Sequence, residues 1–204
     1  MISIVDYGLG NVRAFENIYR QLDIPASAVN TPDELLNASK IILPGVGSFD
    51  WAMKHLHDSR MLDVLNYLVI ERKVPVLGVC VGMQIMARGS EEGSLPGLGW
   101  IKADVKRFDE MKFNHQTHLP HMGWNTVSIK DNCRLFCDII DPHYYFLHSY
   151  YVDLDDADHS IGDTTYGIRF ASAIQRDNIV ATQFHPEKSH QWGVKLLQNF
   201  AGIS

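Results

Sequence analysis

Three cysteines in 204 residues are too few, and too awkward in number and spacing, for a disulfide framework, which points to a reducing cytoplasm. Basic runs are also missing. Lys and Arg number 18 against 24 Asp and Glu, and the formal net charge of −6 argues against a nucleic-acid partner. No apolar stretch approaches the roughly 20 residues of a membrane-spanning helix. The amino terminus, Met1-Ile2-Ser3-Ile4-Val5-Asp6, lacks the basic region and cleavage site of a secretion signal and reads as a strand. Repeats, low-complexity tracts and linkers are absent. A content of 46% hydrophobic and 21% charged residues suits a globular fold, and the length fits one domain over residues 1–204.

What is present is organised around Val74-Pro75-Val76-Leu77-Gly78-Val79-Cys80-Val81-Gly82-Met83-Gln84. A short apolar strand runs into a cysteine and turns at once into a helix. Gly78 and Gly82 flank Cys80 at the spacing of a nucleophile elbow, G-x-nucleophile-x-G, whose sharp turn leaves no room for side chains on those neighbours. The thiol is then presented at the carboxyl end of a strand and the amino end of a helix. Unpaired N–H groups and the helix dipole favour an anion there. A buried cysteine closing a core strand is the competing reading.

Ahead of the elbow the pattern is β-α-β-α-β-α. Strand Ile2 to Val5 ends in Asp6-Tyr7-Gly8-Leu9-Gly10-Asn11, and Phe15, Ile18, Tyr19 and Leu22 mark a helix over 12–22. This glycine loop makes a poor nucleotide cradle, because Arg13 stands at the third glycine position of G-x-G-x-x-G. It does lie at the carboxyl end of a strand, where α/β proteins place functional loops. Thr31-Pro32-Asp33-Glu34 starts a short helix that ends near Ala38. Lys40-Ile41-Ile42-Leu43 is a strand that breaks into Pro44-Gly45-Val46-Gly47-Ser48-Phe49. Its glycines let backbone N–H groups approach a ligand closely, as an oxyanion hole requires, although a plain strand-to-helix turn accounts for them too. Helices over 49–57 and 59–72 lead to the cysteine strand. The predicted fold is α/β, with a mostly parallel central sheet and helices on both faces.

Beyond the elbow, 89–99 reads as loop, 101–108 as a half-buried strand and 111–119 as an exposed polar segment. His115, His118 and His121 are spaced three apart, but no cysteine or carboxylate completes a ligand set, so no metal is expected. Strands over 125–129, 144–152, 170–176 and 179–184 are close enough for antiparallel hairpins, with Asp177-Asn178 as one turn; they form a smaller antiparallel portion in the C-terminal half. Cys133 and Cys137 read as packed thiols. A helix over 189–200 closes the chain. The last strand runs into Gln183-Phe184-His185-Pro186-Glu187-Lys188-Ser189. A thiol nucleophile needs a base, and the base an orienting acceptor; Cys80, His185 and Glu187 supply the three types. Histidine fits because its ordinary pKa lies near neutrality. Pro186 keeps both neighbours out of helix geometry. His148 stays open as another base.

Six blocks carry a resemblance. Asp6-Tyr7-Gly8-Leu9-Gly10-Asn11, Leu43-Pro44-Gly45-Val46-Gly47-Ser48-Phe49, Gly78-Val79-Cys80-Val81-Gly82-Met83-Gln84, Leu119-Pro120-His121-Met122-Gly123-Trp124-Asn125, His148-Ser149-Tyr150-Tyr151 and Gln183-Phe184-His185-Pro186-Glu187-Lys188-Ser189 match, in order, those of the class I (triad) glutamine amidotransferases. The chain resembles that family over nearly its whole length. Within it, the chain is most similar to the glutaminase subunits of imidazole glycerol phosphate synthases. Val79 and Val81 replace the commoner isoleucine and leucine.

The resemblance implies that Cys80 attacks the side-chain amide of glutamine to form a glutamyl thioester, that His185 moves the protons, and that Glu187 orients His185. It implies an oxyanion hole built from the N–H groups of Val81 and of the Gly45-Val46-Gly47 segment. Gln84 and the backbone around His148-Ser149-Tyr150 would bind the amino-acid head of the substrate. No cofactor is implied. Ammonia would pass to a (β/α)₈ barrel cyclase in a heterodimer, with Asn11, Trp124 and Lys188 in blocks expected near that interface. The products would be imidazole glycerol phosphate and an aminoimidazole carboxamide ribotide of histidine synthesis. Paralogous pairs that deliver ammonia to surface-polysaccharide sugars share this chemistry, and residues 88–100 and 188–193 resemble them at least as well. Another Cys-His hydrolase would share the triad without needing Gln84. A non-catalytic regulatory module would usually lack the nucleophile.

Overall fold

A computed structural model describes residues 1–113, 118–130 and 133–203. In chain order these form β1 (Ile2–Val5), α1 (Val12–Gln21), β2 (Ala26–Val29), α2 (Pro32–Leu35), β3 (Lys40–Gly45), α3 (Phe49–Asp58), α4 (Leu62–Asn66), β4 (Val76–Cys80) and α5 (Val81–Gln84). There follow β5 (Ala103–Arg107), β6 (His121–Thr126), β7 (Ser128–Ile129), β8 (His143–His148), β9 (Tyr150–Leu154), β10 (Ser160–Tyr166), β11 (Ile168–Arg176), β12 (Ile179–Thr182) and α6 (His190–Gly202).

Eight strands share one sheet in the order β2-β1-β3-β4-β12-β11-β10-β7. The first five are parallel to one another, and β11, β10 and β7 extend the sheet antiparallel. β1, β4 and β12 are buried at every residue, which is why they read as unbroken apolar runs: a parallel sheet is covered on both faces. On α1, Val12, Phe15 and Tyr19 face the core, and the Tyr19 hydroxyl donates to the Leu197 carbonyl of α6 at 3.1 Å. On α3 the buried residues are Phe49, Ala52, Met53 and Leu56, one helical stripe. Reversal of strand order between β1 and β3 leaves a crevice beyond the carboxyl ends of the parallel strands, where open α/β sheets bind ligands.

Several elements differ from the sequence reading. α2 has the expected capping box, Thr31 Oγ1 accepting from Glu34 N–H and Glu34 accepting from Thr31 N–H, but it ends at Leu35. The helix expected over 59–72 begins only at Leu62, after Arg60 takes φ +61°, and widens to a π-helical turn at Tyr67–Glu71. α5 is a single turn, because the carbonyls that follow it are taken by the loop at 97–101: Leu98 N–H bonds to Ile85 O and Gly97 N–H to Arg88 O, both at 2.7 Å. The strand expected over 144–152 breaks at Ser149; β8 pairs with β6, and β9 with β5. Cys137 is exposed and Cys133 half-buried, so Cys137 is not the packed thiol expected. Two strands, β2 and β10, were not anticipated. Ala26-Ser27-Ala28-Val29 takes its register from β1, and polar β10 is held inside by Thr164 Oγ1 donating to Ser172 Oγ at 2.7 Å. Among the described residues no helix is long and apolar enough to cross a membrane.

Candidate active site

Cys80 ends β4 at φ +55° and ψ −112°, a backbone conformation costly for a residue with a side chain. The surrounding glycines make it possible. A Cβ on Gly82 would lie 2.0 Å from the Leu43 carbonyl oxygen, one on Gly78 2.6 Å from Met86 Cε, and one on Gly45 2.4 Å from Gly82 N. The end of β3 and the turn after β4 therefore touch backbone to backbone. Tyr7, from the loop after β1, supports the same corner: its hydroxyl donates to the Pro44 carbonyl at 2.7 Å. The Asp6–Asn11 loop thus braces the Pro44–Gly47 loop, with Gly10 packed on Pro44.

His185 follows β12 and is pinned from two sides. Its N–H donates to the Tyr145 carbonyl at 2.9 Å, and its own carbonyl accepts from Ser189 Oγ at 2.6 Å. Pro186 opens a 3₁₀ turn (Pro186–Lys188) rather than preventing helical geometry, and this turn swings Glu187 back under the ring. Glu187 Oε1 lies 2.8 Å from His185 Nδ1, and both side chains are buried. Glu187 Oε2 has no partner among the described residues. The Cys80 thiol is close enough to the ring to favour its charged form. Burial works against a charged ring, but the adjoining Cys80 and Glu187 outweigh it and raise the His185 pKa to about 9. The ring is thus a proton holder at neutral pH, not the near-neutral base its residue type suggests.

Cys80 and His185 open into a cleft of 320 Å³ whose wall includes Val46, Gly47, Val81, Gln84, Ser149, Tyr150 and Lys188. Gly45 sits behind that wall, paired in the sheet with Cys80. The Gln84 side chain is buried, its Nε2 donating to Tyr150 O at 3.2 Å and to Gln183 Oε1 at 3.0 Å, so its carbonyl oxygen is the group left for the cleft. His148 also borders the cleft, but both ring nitrogens are taken: Nδ1 bonds to Tyr150 O at 2.7 Å and Nε2 to His121 Nδ1 at 2.9 Å. Burial, aided by His121, lowers the His148 pKa to about 3, and burial lowers that of His121 to about 4. Both rings are neutral, and His148 is not placed to be the base. His121 is turned toward His148 and Asn125. His115 lies outside the described residues, and these contain no group of three His, Cys, Asp or Glu able to hold a metal.

Sequence reading missed two residues at the site. Glu92 lines the cleft while its Oε2 accepts from Phe49 N–H at 2.8 Å, tying the loop at 92–95 to the start of α3. Asp50 completes that tie by accepting from Ser94 and Leu95 N–H groups, which hold its carboxyl below the usual range. Gln183 is buried against the nucleophile, with Nε2 3.8 Å from Sγ. Of the residues expected near a partner, Asn11 caps α1, Trp124 stacks on His190 with ring centroids 5.2 Å apart, and Lys188 Nζ lies over the Tyr145 ring at 5.9 Å. All three are exposed.

A strained nucleophile elbow, a buried histidine–carboxylate pair and a glycine loop at the carboxyl ends of the central strands define a class. The family model for the glutamine amidotransferase class-I domain matches residues 3–202, and the chain belongs to that family. Its relatives narrow this further. It is 50% identical over 204 residues to imidazole glycerol phosphate synthase subunit HisH of Leptospira interrogans, and 48% identical to the subunit of that name from Bdellovibrio bacteriovorus; both matches cover all of each chain. Among solved structures, PurLQS from Thermotoga maritima superposes with a TM-score of 0.73 at 17% identity, over 98% of this chain and 97% of that one, a likeness of fold.

Proposed function

We propose that this chain is the glutaminase subunit of an imidazole glycerol phosphate synthase, a single amidotransferase domain that releases ammonia from glutamine for a separate cyclase. The observation that carries the glutaminase reading is Cys80 and His185 opening into one cleft, with Glu187 buried against the ring of His185. Full-length relatives at 48% and 50% identity carry the choice of enzyme.

In the proposed reaction the Cys80 thiolate attacks the substrate's side-chain amide carbon, and the carbonyl electrons move onto oxygen. The N–H groups of Val81 and Val46 receive that oxyanion. As the tetrahedral centre collapses, the C–N bond breaks and imidazolium His185 gives its proton to the departing nitrogen, leaving ammonia and a glutamyl thioester. Water then attacks the thioester. His185 takes the water's proton, and glutamate leaves with regeneration of the thiolate. Glu187 holds the ring's orientation and balances its charge. The Gln84 Oε1 and the Glu92 carboxylate accept from the α-ammonium, and the backbone at 148–150 binds the α-carboxylate.

The rim of the cleft suits a protein partner. Val46, Met122, Trp124 and Leu147 are exposed, and Met122 and Leu147 are register partners on β6 and β8. Such an apolar surface beside a reactive centre fits docking of a (β/α)₈ barrel cyclase as a heterodimer in the cytoplasm, with ammonia passing directly between active sites. In this reading Asn11, Trp124 and Lys188, all exposed, belong to that interface. The test is genetic and enzymatic. Expressed with its own cyclase, the gene should restore growth without histidine to a strain lacking this subunit, and the purified pair should release glutamate from glutamine. Glutamate release without restored growth would favour delivery to a polysaccharide sugar, and no glutamate release would reject the reading.

A further inference from the structure

Gln183 is fully buried at the end of β12, between the nucleophile and the substrate wall, and the reaction above gives it no part. Hydrogen-bond directions around it follow from one group. The Tyr150 carbonyl can only accept, so the Gln84 atom 3.2 Å away is the amide nitrogen. The second N–H of that nitrogen reaches Gln183 at 3.0 Å, which must therefore present its oxygen. The Gln183 nitrogen is then left facing Cys80 Sγ at 3.8 Å. On the other side, His148 Nδ1–H also donates to Tyr150 O, which leaves His148 Nε2 to accept from His121 Nδ1–H, and His121 Nε2 to accept from Asn125. A single carbonyl thus fixes every donor in a buried chain that ends on the sulfur.

We propose that Gln183 is a positioning residue of the glutaminase reaction: its amide nitrogen donates to the Cys80 thiolate while its amide oxygen holds Gln84 with Oε1 toward the substrate. The proposal rests on the reading of Cys80 as nucleophile. A donor to the charged form of a thiol favours that form, and the effect is large where water is excluded. Both functions need the one amide. An aliphatic side chain would strip the donor from sulfur and leave a Gln84 N–H unpaired. A glutamate would turn an oxygen toward the thiolate. The titratable groups facing the sulfur are His185, with Glu187 behind it, and Tyr7; Glu92, His148 and Lys188 border the same cleft.

The test is iodoacetamide alkylation of Cys80 as a function of pH, followed by mass spectrometry in the full chain carrying Cys133→Ser and Cys137→Ser. Gln183→Leu and Gln183→Glu are expected to move the profile to higher pH, about tenfold in rate at a fixed pH for each unit of displacement, with Gln183→Glu the larger. Gln183→Leu should also raise KM for glutamine in the cyclase-bound enzyme, because Gln84 is released, whereas Gln183→Glu keeps an oxygen that accepts from Gln84. Folded variants with an unmoved profile would overturn the proposal. In the wild-type chain, the Gln183 side-chain amide proton resonances should shift as Cys80 titrates. Their indifference to that titration would overturn it equally, whether or not the variants fold. Labelling by a glutamine-analogue electrophile at a residue other than Cys80 would instead remove the nucleophile reading, and this proposal with it.

Discussion

Gly82 and Leu43 are in backbone contact: a Cβ on Gly82 would stand 2.0 Å from the Leu43 carbonyl oxygen. Backbone cannot move aside as a flexible side chain can, so Gly82→Ala must displace either β3 or the turn that presents Cys80. Overpacking of this kind costs about 1–3 kcal/mol, and here the strain falls on the catalytic corner. Urea denaturation should show Gly82→Ala weakened by that order and glutamine turnover lost. Gly89→Ala, with open space around it, should behave as wild type. Wild-type stability and turnover in Gly82→Ala would refute the account of the elbow.

Cys80 is expected to be the one thiol labelled by a glutamine-analogue electrophile. Cys137 is the more exposed of the two, so exposure and reactivity point in opposite directions and the experiment separates them. Peptide mapping should find the adduct on Cys80 alone, and Cys80→Ser should abolish both label and glutamate release. A label on Cys137 with activity retained in Cys80→Ser would remove Cys80 from the mechanism.

The His185 pKa of about 9 sets an alkaline limit. The ring must be protonated to discharge ammonia, so kcat/KM should fall as pH rises through that value. His185→Ala should lose nearly all turnover, on the order of the 10²–10⁴-fold contributed by general acid–base catalysis. Glu187→Gln should lose less. It also removes a charge that raises the His185 pKa, so the alkaline limb should move to lower pH. A limb that stays in place in Glu187→Gln would mean that the carboxylate does not hold the imidazolium.

His121 and His148 both make the fold sensitive to acid. Their pKa values of about 4 and about 3 lie below the unfolded value of 6.5, so the unfolded chain binds more protons between those limits. Stability is therefore full above pH 6.5 and declines as pH falls toward 3. For His121 alone the displacement corresponds to about 3 kcal/mol. Urea midpoints at pH 7 and pH 4.5 should differ strongly in the wild-type chain, and less in His121→Gln, which cannot take up the proton.

What sequence reading could reach was local. The G-x-C-x-G turn, the His185-Pro186-Glu187 run and the Asp177-Asn178 hairpin each declare themselves within a few residues, and the structure has Arg176 paired with Ile179 across that turn. Glu92 and Gln183 escaped because their partners are remote: Glu92 reaches Phe49 across 43 positions, and Gln183 reaches Cys80 across 103. A glutamate in a glycine-rich loop and a glutamine after a strand carry no local mark of such contacts. β10 escaped for a related reason. Its threonines and aspartate suit an exposed segment, and partners distant in local pattern satisfy them: Ser172 and the Thr126 carbonyl for Thr164, and Arg169 for Asp163. His121 carried a weak metal signature through its spacing from His115 and His118, and that spacing cannot show that its ring is hydrogen-bonded to the remote His148.

Partner control of the glutaminase should act at the Val46 N–H. Gly45 ends β3 and its Cα is wedged against Gly82, so the whole loop cannot swing. A peptide flip, however, turns the Val46 N–H while leaving the Gly45 Cα in place. Val46 is 37% exposed, and Gly47, at φ +88°, has only Trp51 within reach of a Cβ, at 3.6 Å. Losing one oxyanion donor costs roughly a hundredfold to a thousandfold in rate, and a partner that favours the inward-pointing state restores that factor by shifting a population. Glutamine hydrolysis is therefore expected to be slow for the chain alone, and to rise by about that factor with the cyclase and acceptor nucleotide. Gly47→Ala should blunt the rise, because an alanine resists the positive φ that the segment uses. Gly45→Ala is the wrong probe, since it disrupts the contact between β3 and the elbow before it reports on the loop. Equal rates for the chain alone and in the full complex would exclude the switch. A full rise preserved in Gly47→Ala would keep the coupling and move it to another part of the cleft.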